Sequence, residues 1–167
     1  MLLWFVILAP VLVAEIFRSP MIDYRLVALG AALPLAEAAL GGPNVLHTLL
    51  GAVGLLTIVM LATPNRRLVR RRLLGIPIGL FFHLALDASW ARTELFWWPF
   101  VGLARGDGWS FGTGQIPELE RPVGVIVALE VVAVAVGWWA WKRYELGDDD
   151  NRSFFVRTGQ LTRAALP

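Results

Sequence analysis

His83 and Asp87 lie four residues apart in an otherwise apolar stretch, LFFHLALDASWARTELFWWPF, that spans residues 80–100. On a helix this spacing places both on one face, one turn apart. An imidazole and a carboxylate so placed can chelate a divalent cation, or the carboxylate can orient the imidazole for acid–base work. The alternative is a hydrogen-bonded pair that only fixes helix packing, although ionisable groups at membrane depth are candidates for a functional site by default. Two more residues have suitable chemistry: His47, near the start of an apolar run, and Asp23, in the polar break RSPMIDYR. His47 also reads as an interfacial or capping histidine, and Asp23 as a carboxylate capping the helix that follows it. Glu37 and Glu94 are secondary candidates, and Glu15 reads as an interface residue whose carboxylate snorkels to water. The chain has no cysteine, so disulfides and thiolate ligands are excluded and any metal must be held by His, Asp, Glu or carbonyl oxygen. No nucleotide-binding glycine pattern or haem-ligand pair is present.

The elements that would position these residues are transmembrane helices. Hydrophobic residues make up 57% of the 167 and charged residues 17%, and the mean hydropathy is +0.62; soluble domains carry about 25% charged residues. The expected fold is an all-α integral membrane protein, a small bundle of four to five transmembrane helices. Its spans fall at about 2–17, 26–40, 45–63, 73–91 and 122–142, forming one transmembrane domain over residues 1–145 with a polar, mobile cytoplasmic tail at 146–167. The apolar start lacks the basic region and small-residue cleavage site of a signal peptide and reads as a retained helix. Residues 26–40 are interrupted by Gly30, Pro34 and Glu37 and reach only about 22 Å against a hydrocarbon core of about 30 Å, so this second segment reads either as a thin span or as re-entrant.

Orientation follows from Arg66, Arg67, Arg70, Arg71 and Arg72, which mark a cytoplasmic loop. An arginine cluster that binds anionic headgroups fits the same placement. Trp90, Trp97 and Trp98 form an outer aromatic belt, and Lys142 and Arg143 mark an inner end, so the C-terminus is cytoplasmic. His83 and Asp87 then lie in the outer half of the membrane. Residues 100–121, glycine-rich and long for a connector, read as a plain loop or as a lid over them. Glu130, mid-span, needs a partner, for which Arg92, Arg121 or a proton are the options. Nucleic-acid binding has no support; the expected partners are membrane lipids, with a protein partner or a homo-oligomer.

The run from His83-Leu84-Ala85-Leu86-Asp87 to Trp98-Pro99 resembles the YdjM-like family of bacterial inner-membrane metal-dependent hydrolases, in which a His-Leu-x-Leu-Asp helix end is followed by a Trp-Pro pair. Ile22-Asp23-Tyr24 stands where that family has Pro-Asp-x-Asp-His, and Asn44 to Thr48 where it has His-Arg-Gly-x-Thr-His-Ser. Met21 and Tyr24 replace an Asp and the His of the first element; Gly42, Pro43 and Leu46 replace the His, Arg and Thr of the second.

The resemblance covers residues 21–100 and implies a divalent metal, zinc or manganese, held by His47, His83, Asp87 and Asp23. Asp23 and Asp87 would serve as the catalytic carboxylates. It implies hydrolysis of a lipid or lipid-linked phosphoester at the outer half of a bacterial inner membrane. The rival expectation is a non-catalytic membrane subunit that keeps the fold; a transporter component is less favoured because no repeat halves appear. Topology and chemistry pull apart here. If 26–40 crosses the membrane, Asp23 lies a membrane thickness from His47; if it turns back, the two meet.

Overall fold

The structure, a computed structural model, describes residues 1–39, 45–91, 93–101 and 121–162. All the described regular structure is helical. In chain order it comprises α1 (Leu2–Phe17), α2 (Tyr24–Ala39), a 3-10 turn at Val45–His47, α3 (Leu49–Ala62), α4 (Arg67–Leu73), α5 (Gly75–Leu86), a second 3-10 turn at Ser89–Ala91, α6 (Thr93–Phe96), α7 (Val123–Arg143) and α8 (Asp149–Thr158). The helix ends follow local chemistry. α1 stops at Arg18, whose left-handed conformation lets its N–H reach the Ala14 carbonyl. α3 starts behind Thr48, whose Oγ1 accepts from Gly51 N at 2.9 Å. α7 begins after Pro122, a residue with no N–H to leave unsatisfied.

The most extensive contact is between α2 and α5, and α1 packs across both and along α7. α2 and α5 meet backbone to backbone: a Cβ added at Gly30 would overlap the Ile76 carbonyl oxygen, and one added at Gly79 the Val27 carbonyl oxygen. Small residues at a helix crossing permit this approach. The buried set is correspondingly small and partly polar. Ala9, Ala14, Ala31 and Ala133 are buried beside Asp23, His47, Thr48, His83, Asp87 and Ser89, while large apolar residues face outward, including Leu61 at 76% exposure, Val123 at 75% and Trp138 at 63%.

α7 is long and apolar enough to cross a membrane; Leu2–Phe17 and Leu49–Ala62 are apolar but shorter. The second segment runs straight through as α2, despite Pro34 inside it, rather than turning back. The helix expected over 73–91 ends earlier, because Asp87 is its C-cap and Ala88 takes a positive φ of 56°. The tail expected to be mobile instead folds back against the rest of the chain. α8 is capped by the Asp148 carboxylate, which accepts from Asp150 N. Beyond it Gly159 O accepts from Tyr24 N at 2.7 Å, the Val156 carbonyl accepts from Arg25, and Leu161 is buried. Residues 102–120, where a lid was considered, lie outside the described residues.

Two substitutions test this packing. Gly79→Leu should lower stability in detergent by more than ~2 kcal/mol, since backbone rather than a movable side chain is in the way, as read by thermal unfolding. Gly159→Ala should free the tail while leaving the bundle folded, because Gly159 has a φ of 72° and its Cβ would strike the Asp23 carboxylate. Limited proteolysis should then cut near residues 146–162 much faster than in the parent.

Candidate functional site

Of the four ligand-type residues singled out from the sequence, His47 and His83 meet where the far ends of α2 and α5 reach the start of α3, and Asp87 follows one turn beyond His83. His83, two turns along α5 from Gly75, has its Nδ1 2.7 Å from the Ala31 carbonyl of α2. An imidazole beside a carbonyl must donate, which fixes the tautomer with hydrogen on Nδ1. His47 comes from the 3-10 turn ahead of α3 and has its Nδ1 2.9 Å from Glu37 Oε2. The other oxygen of Glu37 accepts from Leu46 N at 3.1 Å, which locks the carboxylate in place. The two rings meet edge to face, with centroids 5.6 Å apart, and Phe5 of α1 stacks on His83 at 3.9 Å. Both histidines are fully buried.

Asp87 is also buried, with 1% of its surface exposed. Its N–H bonds the His83 carbonyl at 2.8 Å, so the i, i+4 spacing survives as the last turn of α5. Ser89 Oγ donates to Oδ2 at 2.8 Å. Arg121, just ahead of α7, donates through Nη2 to Oδ1 at 3.0 Å and to the Asp87 carbonyl at 2.9 Å. The carboxylate is thus bound on both oxygens and neutralised by a guanidinium.

Asp23 is not part of this cluster. It sits at the opposite end of α2, where its carbonyl packs against Gly75 and its carboxylate is bound by Arg25 through Nε at 3.2 Å and Nη2 at 3.1 Å. Asp87 is twelve residues further along the α5 direction, about 18 Å away. The expectation that Asp23 is a ligand or base beside His47 is therefore corrected: a continuous α2 separates them. Glu94 is exposed on α6. Glu130 lies 3.4 Å from the Met1 amino group, so Arg121, one of its expected partners, serves Asp87 instead. Arg92 is outside the described residues.

Sequence reading ranked Glu37 too low and missed Ser89 and the role of Arg121. Glu37 had a usable signal as a carboxylate in the last turn of an apolar helix just before a histidine. Arg121 had none, since 34 residues separate it from Asp87.

The donors fit zinc or manganese in kind. Metal-binding histidines characteristically donate the other ring nitrogen to a carboxylate or a carbonyl, and both are found here. Among the described residues, no three His, Asp or Glu side chains are grouped to hold a metal ion. Comparison with family models, curated proteins and solved structures found no match.

Removing one partner of the buried pair should cost more than removing both. Arg121→Ala removes a guanidinium bonded to the buried Asp87 carboxylate and should cost about 3 kcal/mol, whereas Arg121→Ala with Asp87→Asn should recover a large part of it. Unfolding of the single and double variants in detergent measures this coupling.

Proposed function

We propose that the chain is a multi-pass inner-membrane protein of the YdjM-like kind, and that the His47, His83 and Asp87 cluster is the site of a metal-dependent hydrolase. The membrane reading rests on the inverted surface: large apolar side chains point outward on α3 and α7, while carboxylates, imidazoles and hydroxyls are packed inside. α7 is about 31 Å long, the thickness of the hydrocarbon core, and α1 and α3 are shorter apolar helices beside it; in this reading they and α2 and α5 are the remaining spans. The arginines of α4 are cytoplasmic under the positive-inside rule. This puts the histidine cluster in the outer half of the bilayer and the C-terminal tail inside the cell.

The observation that carries the enzymatic reading is the pair of fully buried imidazoles, edge to face, each fixed through Nδ1 by an acceptor on α2. Here the Glu37 carboxylate and the Ala31 carbonyl hold the two rings through Nδ1, as the partners behind metal-binding histidines do. His47, His83 and Asp87 would hold a zinc or manganese ion, which supplies an acidic water and a Lewis acid. Arg121 is placed to meet the charge of a phosphoryl group once it leaves Asp87, as a guanidinium suits phosphate oxygens. A site at this depth suits a lipid or lipid-linked phosphoester that arrives laterally through the membrane.

One observation favours a second reading, a non-catalytic membrane subunit. Asp87 has both oxygens bound by Arg121 and Ser89, as a purely structural carboxylate would.

Assays of the detergent-purified protein against phospholipids and lipid phosphates separate the two. Under the hydrolase reading the parent releases product from at least one substrate. Glu37→Gln lowers the rate by about 10–100-fold, the usual cost of losing a group behind a metal ligand, and His83→Ala removes activity. A parent that is inactive on the whole panel and copurifies with a stoichiometric partner would establish the subunit reading.

A further inference from the structure

Between α1 and α7 lies an apolar groove of about 620 Å³, lined by neither histidine. Its walls are residues 3–14 of α1 and 134–144 of α7, with Ile7 and Pro10 facing Gly137 and Trp138. Gly137 lets Ile7 pack closely against α7 in the groove wall: a Cβ there would come within 3.3 Å of Ile7. The inner end is floored by Tyr24, Tyr144 and Phe155. Tyr144 donates to Glu15 at 3.0 Å, and both burial and that bond push its phenol above the ordinary range. The floor is therefore a neutral phenol and a carboxylate already engaged.

The dimensions select the occupant. The walls run about 17 Å along α1 and 15 Å along α7, which is one leaflet, or half of a hydrocarbon core of about 30 Å. A partner transmembrane helix would need an apolar seam of full membrane length and would run into the α8 floor. A single acyl chain needs one leaflet and a place for its headgroup at the interface. The structure supplies that place: Lys142 Nζ lies 4.0 Å from the centroid of the Trp138 ring that lines the groove, and exposed Arg18 stands at the corresponding end of α1. Cations at the mouth of an apolar slot match a lipid phosphate. The volume lies within the range of about 300–1,000 Å³ typical of specific ligand sites.

We propose that this groove binds one acyl chain of an anionic glycerophospholipid from the inner leaflet, with its phosphate on Lys142. The site rests on the membrane reading above and is independent of the hydrolase reading. It is a bound-lipid site distinct from the histidine cluster: neither histidine, nor Phe5 that stacks on His83, lines the groove.

The test begins with recovery of the chain from alkali-washed membranes, which settles the membrane reading separately. Protein purified in mild detergent is then equilibrated with equal amounts of phosphatidylglycerol and phosphatidylcholine, and bound lipid is counted by native mass spectrometry. The expected result is roughly one retained lipid per chain, predominantly phosphatidylglycerol. Gly137→Leu, which fills the groove, should abolish retention, and Lys142→Gln should reduce the preference for phosphatidylglycerol about fivefold, the effect of one lysine at a bilayer surface. Should Gly137→Leu fail to fold, Val134→Phe at an exposed position in the groove wall performs the same test. No retained lipid in the parent, or retention unchanged by filling the groove, overturns the proposal. So does a dimer, or a complex with a second protein, that dissociates on filling while no lipid is bound.

Discussion

The close approach of α2 to α5 is the contact on which the rest depends. Gly30 and Gly79 allow the two backbones to touch, and this brings the Ala31 carbonyl within reach of His83 on the facing helix. Pro34 assists from within α2. With no N–H to give, it leaves the Gly30 carbonyl without its helical donor and loosens the turn beside the one His83 reaches. A larger residue at either glycine would separate the helices by the width of a side chain and strand a buried imidazole. Small residues at crossings and polar groups that bond across them are the means of association expected where no hydrophobic effect operates between helices.

From that contact follows a division of the bundle into two ends. One carries two polar sets, Glu37 with His47 and His83, and Asp87 with Ser89 and Arg121. The other joins Asp23, Arg25 and Gly159 into a clasp that holds the C-terminal tail beneath α1 and α2. The two acidic residues that the sequence suggests as partners in one site are thereby committed to different tasks. Asp23 organises the docking of the tail, and Asp87 terminates α5 and holds Arg121 at the start of α7. The α1–α7 groove lies above the clasp, so the tail also forms its floor.

Much of this was legible in the residues. The helical class follows from hydropathy and from the absence of any alternating strand pattern. His47, His83 and Asp87 stood out because charged or titratable groups are rare in such apolar surroundings. The path of α2 was not legible, because fifteen residues broken by glycine, proline and glutamate suit a short span and a turned-back segment equally well; packing against α5 accompanies one continuous helix. The partnership of Arg121 with Asp87 is long-range and leaves no periodic trace. The tail looked mobile because its composition is polar, yet a few specific bonds and the burial of Leu161 hold it. Local pattern revealed the helices and the rare polar residues, and tertiary contact settled which of those residues work together.

The central claim is that the two buried imidazoles are metal ligands, and elemental analysis of the detergent-purified protein tests it most directly. About one equivalent of zinc or manganese per chain is expected, lost when His47 and His83 are both replaced by alanine in a variant that keeps its helical circular dichroism. Protein that carries no metal after exposure to either ion, while remaining folded, would contradict it and leave the pair as part of the packing.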